Sequence, residues 1–398
     1  MHTIVIGAGL VGLAVARQLT RVRPHDPVTV LDKEPEVGVH QSSHNSGVVH
    51  AGVYYPPGSL KARLCRRGVD LLREYTSDKG IVLDDVGKVV VASDRQDEER
   101  LAEVHRRAVA NGVPGVAMLG PAGLRDVEPH VRGRAALHSP ATAITDFPAI
   151  ARALAGDVAD AGGQVLLGRE VVGLRPLRSG VEVLVEHEGS RSRLAADRVV
   201  ICAGLHVDRL ARMAGGDPDP RIVPFRGEYH LLAPERTHLV RGLVYPVPDP
   251  RYPFLGVHLT RRVDGSVDVG PNAVLATARE GYRWRDVDAA DLAETLAWPG
   301  MRALVVRHWR TGIGEVVGSL SRRRFAEAAA RYVPELVAAD LRPGGAGVRA
   351  QAVGRDGTLV DDFAIERIGP VTAVRNAPSP AATSSLAIAE EIVSRLRD

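Results

Sequence analysis

Residues 7–12 read Gly-Ala-Gly-Leu-Val-Gly, the spacing G-x-G-x-x-G, and Asp32 lies 20 residues beyond Gly12. This set can hold a dinucleotide. Gly7 permits a tight turn, Gly9 lets the backbone approach a pyrophosphate, and Gly12 allows close packing of helix on strand. The free N–H groups where the helix begins, around Val11, stabilise phosphate charge. Asp32, followed by Lys33, can accept hydrogen bonds from ribose hydroxyls, which fits a free 2′-hydroxyl and disfavours NADP. Glycines in such a turn can serve packing alone. Here the strand, the helix and the acid all fall in the required context, and the fingerprint by itself leaves NAD and FAD open. A later apolar strand, 198–204, ends in Ala203-Gly204. Such a strand commonly returns beside the dinucleotide in flavoproteins, although alone it is equally a buried strand with a glycine turn.

The elements that must position these residues follow from patterning. Residues 3–8 read as a buried strand, 10–21 as a helix and 28–32 as a second strand, which is a parallel βαβ unit. Residues 35–60 carry Gly, Ser, His and Pro without a period, the mark of a long functional loop. Helices are expected at 60–79, 94–111 and 147–161, and strands at 87–93, 164–167, 181–187 and 198–203. From about 218 to 270 the pattern turns to short β runs broken by Pro and Gly, with strands at 228–232, 255–259 and 267–269. Helices at 289–296 and 322–332, a strand at 371–376 and a helix at 381–396 complete the chain. The fold class is therefore mixed α/β and α+β. It has a discontinuous Rossmann-like nucleotide-binding domain (1–85, 146–215, 333–398) and an inserted antiparallel-sheet substrate domain (86–145, 216–332).

Composition narrows the function classes. The chain has 398 residues, 25% charged and 45% hydrophobic, an ordinary globular profile with room for a sizeable core. A net charge of +3 is too small and dispersed for a nucleic-acid binder. Two cysteines, Cys65 and Cys202, build neither a disulfide framework nor a four-ligand metal site, so no metal is expected. No apolar run reaches the roughly 18 residues of a membrane span. The apolar start lacks a charged n-region and reads as part of the fold, which makes a reduced, cytoplasmic setting the default.

Residues 40–61, HQSSHNSGVVHAGVYYPPGSLK, carry a specific resemblance. Further matching stretches are 254–276 (FLGVHLTRRVDGSVDVGPNAVLA), 347–363 (GVRAQAVGRDGTLVDDF) and 376–385 (NAPSPAATSS), with REGY at 279–282 and YVPEL at 332–336 between them. Together they resemble the L-2-hydroxyglutarate oxidase/dehydrogenase family, within the FAD-dependent oxidoreductases of the D-amino-acid oxidase group. The resemblance runs from about residue 4 to 392. It implies FAD between two domains, with Gln41, Ser43, His44 and Ser46 near flavin and pyrophosphate and Val171 by the adenine. Ser379, Ala381, Ala382 and Thr383 would face the isoalloxazine. Neither cysteine lies in a segment used for covalent attachment, so non-covalent FAD is expected.

Oxidation of a 2-hydroxy acid removes a hydride from carbon and a proton from its hydroxyl, so the protein supplies position, charge and a base. Histidine suits the base, since its ordinary pKa lies near working pH. His50 and His258 are the candidates. A dicarboxylate needs cationic anchors, and Arg349 leads, followed by Arg226 and Lys61, with Tyr54, Tyr55, Thr260 and Asn272 as neutral donors. With 47 arginines in the chain, a solvated surface charge is the plain alternative for any one of them. The partners implied are L-2-hydroxyglutarate or a similar carboxylate and an electron acceptor such as a quinone, another carrier or oxygen. A quinone would bring peripheral contact with the inner face of the cell membrane. The competing readings are a flavoenzyme for another 2-hydroxy acid or a secondary amine or amino acid, and a flavin-binding protein without activity.

Overall fold

The computed structural model describes residues 1–249, 255–319 and 321–396. Its organising element is a six-stranded sheet in the order Ala364–Ile368, Val371–Asn376, Arg198–Ile201, Thr3–Ile6, Val28–Leu31 and Gln164–Leu166. The inner pairings are parallel, and the hairpin of Ala364–Ile368 with Val371–Asn376 is antiparallel. Strands buried on both faces read as continuous apolar runs, as TIVI and RVVI do. Side chains alternate across the sheet. Val5, Val30 and Val200 join the core under the helices Leu10–Val22, Phe147–Asp160 and Ala381–Arg395. Ile4, Ile6, Leu31, Val199 and Ile201 pack the opposite face, against the ribbon of Glu170–Leu177, Gly180–His187 and Ser190–Ala196.

The second large sheet has nine strands. Its centre is Arg221–Leu232, which pairs with Val267–Gly270, Val274–Leu275 and, over its whole length, Leu341–Val353. His258–Arg261, Leu243–Pro246, Lys88–Ala92, Ala135–Ser139 and Ala117–Leu119 extend it. A small sheet of Val48–Val49, Ala143–Thr145 and Leu83–Asp84 sits where the loop 35–60 enters.

Several expectations need correction. The strand expected at 228–232 begins at Arg221, and the one expected at 255–259 is His258–Arg261, while Phe254 of the quoted motif lies outside the described residues. The strand Leu341–Val353 went unread because Pro343, Gly344, Gly345 and Gly347 argue against a strand. The structure explains two of these glycines by close approach. A Cβ on Gly344 would lie 2.5 Å from the Tyr229 carbonyl, and one on Gly347 2.4 Å from the His44 carbonyl. The ribbon strands flanking Gly180–His187 were also missed. One of its turns uses positive φ at Glu188 and Gly189, and the polar strand Ser190–Ala196 shows little alternation. A helix at Pro299–Ser319 was not anticipated.

Arg279 and Asp208 clamp the two sheets' surroundings together. Both side chains are buried, at 2% and 1% exposure, with Nη1 to Oδ1 at 2.6 Å and Nη2 to Oδ2 at 3.0 Å. Asp208 also accepts from the Ile222 amide at 3.2 Å. Asp208→Ala removes the bidentate partner but leaves the buried Arg279 guanidinium with Glu294 at 3.3 Å, so it should cost about 1.5–3 kcal/mol of stability, the range for hydrogen bonds to a charged group. Chemical denaturation would register it, and an unchanged midpoint would contradict this role for the pair.

Candidate active site

The cavity between the two large sheets has a volume of about 1340 Å³. It is lined by Gly7, Gly9, Val11, Asp32 and Lys33, by the loop residues Gln41, Ser42, His44, Asn45 and Ser46, and by Asn376–Thr383. The long loop is held by its own polar groups. Ser42 accepts from the Leu10 amide at 3.0 Å, and Asn45 donates to the Ser42 carbonyl at 2.7 Å. His44 stacks on Tyr282 at 4.2 Å, and its Nδ1 lies 3.0 Å from the Ala346 carbonyl.

These residues suit a dinucleotide. A Cβ on Gly204 would lie 2.6 Å from Gln41 Oε1, and one on Gly7 2.4 Å from the Cys202 carbonyl, so larger residues would displace the cradle. Asp32 accepts from the Ala8 and Glu34 amides, which aims its carboxylate at the mouth of the fingerprint turn. Two helices of 13 and 15 residues, Leu10–Val22 and Ala381–Arg395, begin at this cavity, and neither has a side-chain cap. Beyond the Leu10 amide held by Ser42 and the Ala381 amide held by the Pro378 carbonyl, the first-turn N–H groups and the dipoles of both helices favour negative charge at the cavity. Val171, Ala203, Ser379, Ala381, Ala382 and Thr383 also line the space.

Beside Asp32, a charged cluster closes the wall. Glu280 accepts from His206 at 2.8 Å and pairs with Lys33 at 2.8 Å, while Lys33 also pairs with Glu34. Burial alone would raise Glu280, yet the hydrogen bonds from His206 and Lys33 hold it down at about 2. Glu34, His40 and Glu280 present ligand atoms within 4.8 Å of one another, and the Lys33 ammonium contacts both carboxylates.

A second group, His50, Tyr54, Tyr55, Lys61, Tyr229, Tyr245, His258 and Arg349, also lines the cavity, with the His50 amide on Thr383 Oγ1 at 3.1 Å. Lys61 pairs with Asp361 at 2.8 Å and lies over the Tyr55 ring at 5.4 Å. Arg349 hydrogen-bonds Tyr229. The Tyr54 hydroxyl is buried, has no hydrogen-bond partner among the described residues and belongs to a residue lining this space, as expected of a group that meets a ligand. Burial, then the Gly256 hydrogen bond working against it, then Lys88 and Arg349, leave His258 at about 3. Burial and the neighbouring Lys88, His258 and Lys61 likewise push His50 well below its ordinary value. Both imidazoles are therefore neutral at working pH.

Five expected site residues lie outside the cavity lining. Arg226 faces away from the cavity, stacked on Trp284 at 4.3 Å and 3.2 Å from Glu228, because its strand neighbours Gly227 and Tyr229 take the inward face. Thr260 sits behind Tyr245, with Oγ1 3.4 Å from the phenol oxygen. Ser43 donates to the Gly38 carbonyl, and Gly12 serves packing, since its Cβ would lie 1.9 Å from the Gly7 carbonyl. Asn272 instead holds Glu228, accepting from its amide at 2.7 Å. Sequence reasoning missed Lys88, Tyr229, Tyr245 and the Glu280–His206 pair. For Lys88 a signal existed, as a rare lysine at the head of the apolar run KVVVA.

The fold and this cavity define a dinucleotide-dependent oxidoreductase. A model of the FAD dependent oxidoreductase family matches residues 2–395, and the chain belongs to that family. Among its relatives, the mitochondrial L-2-hydroxyglutarate dehydrogenase of Nematostella vectensis is 43% identical over 406 residues, covering 98% of this chain and 89% of that one. The mitochondrial enzyme of the same name from Homo sapiens is 42% identical, covering 99% and 88%. That of Indibacter alkaliphilus is 43% identical, covering 97% and 96%. Among solved structures, the FAD-bound L-alpha-glycerophosphate oxidase of Mycoplasma pneumoniae superposes with a TM-score of 0.78 at 22% identity, over 100% of this chain and 94% of that one. A glycine oxidase from Geobacillus kaustophilus gives 0.72 at 19%, over 99% and 94%, so the likeness to both is one of fold.

Proposed function

We propose that this chain oxidises L-2-hydroxyglutarate to 2-oxoglutarate, with FAD held non-covalently along the cavity. FAD, when bound, supplies the acceptor for the hydride that leaves C2 of the substrate. The observation that carries the reading is that two cations and two imidazoles line one cavity as neighbours: Lys61 and His258 act on His50, Arg349 acts on His258, and the His50 amide is tied to Thr383. The cations fit the two carboxylates, and a neutral imidazole fits the hydroxyl proton. The near-full-length relatives named for this substrate support the same choice. The charge here disfavours an amine. A cationic nitrogen would meet Lys61 and Arg349, and the Asp361 carboxylate is already paired with Lys61.

Within this reading the six-stranded sheet, its helices and the loop 35–60 hold the cofactor, and the nine-stranded sheet presents the substrate groups. Gly7, Gly9, Val11 and Asp32 hold the pyrophosphate and ribose, and Val171 lies by the adenine. Gln41, His44 and Ser46 run along the middle, and Ser379–Thr383 meet the flavin ring. Burial pushes both thiols, Cys65 and Cys202, up to about 12, so neither is a ready nucleophile for covalent attachment. Among the described residues no helix is long and apolar enough to cross a membrane. Electrons leave to a quinone, another carrier or oxygen from a cytoplasmic enzyme, with membrane contact confined to the peripheral docking a quinone acceptor requires.

The test is an anaerobic titration of the yellow protein followed by visible flavin absorbance. Bleaching by L-2-hydroxyglutarate, and not by the D enantiomer or sarcosine, is the expected result. A protein that stays oxidised with the L form, or responds to sarcosine, would refute the substrate assignment.

A further inference from the structure

We propose that the two imidazoles carry opposite, fixed proton placements. His258 presents the lone pair of Nε2 as the base for the substrate hydroxyl, and His50 presents an Nε2–H that donates to a substrate oxygen. Lys88 is the positioning residue that sets the His50 tautomer. The roles toward substrate rest on the function proposed above; the tautomers and the part of Lys88 do not.

The assignment follows from what each Nδ1 faces. Nδ1 of His258 lies 2.9 Å from the Gly256 carbonyl oxygen, which can only accept. A neutral imidazole has one N–H, so the proton is on Nδ1 and Nε2 is a lone pair. The ring stacks on Tyr245 at 4.0 Å between centroids, which fixes its direction. Nδ1 of His50 instead lies 3.5 Å from Lys88 Nζ, the outer limit of a hydrogen bond. An ammonium only donates, and a proton on Nδ1 would point at a positive charge. The lone pair therefore belongs on Nδ1 and the proton on Nε2.

Lys88 is well placed to impose this. Its side chain is buried in the strand Lys88–Ala92, with Nζ 4.2 Å from the Tyr245 ring centroid and 5.3 Å from that of Tyr54. Ring faces favour the charged form, whereas burial pulls Lys88 down to about 7. A dicarboxylate entering beside it adds the negative charge that restores the ammonium. His50 is itself fixed by its backbone. Its amide donates to Thr383 Oγ1 at 3.1 Å, and its carbonyl accepts from Cys65 Sγ. In the reaction one proton passes from the substrate hydroxyl to His258 Nε2, leaving an imidazolium whose Nδ1–H remains on the Gly256 carbonyl. The C2 hydrogen leaves with its electron pair to the two-electron acceptor already named. His50 keeps its proton throughout.

The experiment is long-range proton–nitrogen correlation on the full-length holoenzyme carrying ¹⁵N-histidine, run without substrate at about pH 6, below the Lys88 value of about 7 so that Lys88 is an ammonium, with His50→Gln and His258→Gln used to assign the two rings. The expected spectrum shows His258 protonated at Nδ1 and His50 at Nε2. Either ring in the other tautomer, or protonated at both nitrogens, overturns the proposal. Lys88→Met should abolish the His50 preference and leave His258 unchanged; a His50 ring that keeps its tautomer removes Lys88 from the role. Stopped-flow flavin reduction gives a second, independent readout. Glutamine can supply an N–H but no base, so His258→Gln should slow reduction ~10²–10⁴-fold and His50→Gln within about tenfold. The reverse order would refute the roles. If L-2-hydroxyglutarate does not reduce the unmodified enzyme, the substrate reading fails while the ring spectra still decide the tautomers.

Discussion

Gly12→Ala is expected to purify without flavin. The added Cβ would lie 1.9 Å from the Gly7 carbonyl oxygen and 3.3 Å from Cys202 Cβ, with backbone on one side and a packed strand end on the other. No flexible side chain can yield there, so the helix Leu10–Val22 must move off the sheet. Overpacking of this kind costs about 1–3 kcal/mol of stability. The loss of cofactor should be greater than that figure implies, because the same shift withdraws the helix N-terminus and the Gly7–Gly9 backbone from the pyrophosphate. The check is the ratio of flavin to protein after gel filtration, with a thermal melt to show that the chain is folded. A variant that stays fully yellow would mean the turn is not the phosphate cradle. Gly204, whose Cβ would meet the end of the movable Gln41 side chain at 2.6 Å, should be more forgiving.

Arg349→Met should lower kcat/KM by ~10²–10³-fold, most of it through KM, while flavin content stays unchanged. Arg349 enters the cavity from the strand Leu341–Val353, whose register sets it opposite Phe225, and it hydrogen-bonds Tyr229. Truncating one partner of a desolvated, hydrogen-bonded charge pair costs about 2–5 kcal/mol, or roughly 30- to 4,000-fold, a span that brackets the stated loss. Arg226→Met supplies the control. Its guanidinium lies outside the cavity against Trp284 and Glu228, so the expected effect is on stability, with KM for the substrate within about twofold of the parent. Equal effects of the two substitutions on KM would overturn the assignment of Arg349 as the carboxylate anchor.

The contrast between these two arginines shows where local reading stops. They lie in two long strands that pair with each other, Arg226 opposite Val348 and Arg349 opposite Phe225, one register step apart, and both were plausible anchors by charge and motif. Which one faces the substrate depends on the parity of its position in a strand whose start was misread by seven residues, at Arg221 in place of 228. A side chain's face alternates with every residue, so parity becomes known only when the pairing with Leu341–Val353 is known. The glycines that made that partner strand illegible are there because Tyr229 and His44 backbone approaches it, a constraint carried by residues about a hundred and three hundred positions away.

The sequence by itself determined what depends on near neighbours. The G-x-G-x-x-G turn, the acid after the second strand and the apolar strands buried on both faces follow from contacts within some thirty residues. The capped start of the helix Leu60–Lys79, where Ser59 accepts from the Ala62 amide, is equally local. The motifs at 40–61 and 376–385 were also readable. Only the tertiary structure decided which candidates face the cavity, that Lys88 stands behind His50, and that two imidazoles of ordinary type are kept neutral. Those properties come from burial and from charges delivered by separate strands. Desolvation and Coulomb interactions depend on distance in space, which chain position does not encode.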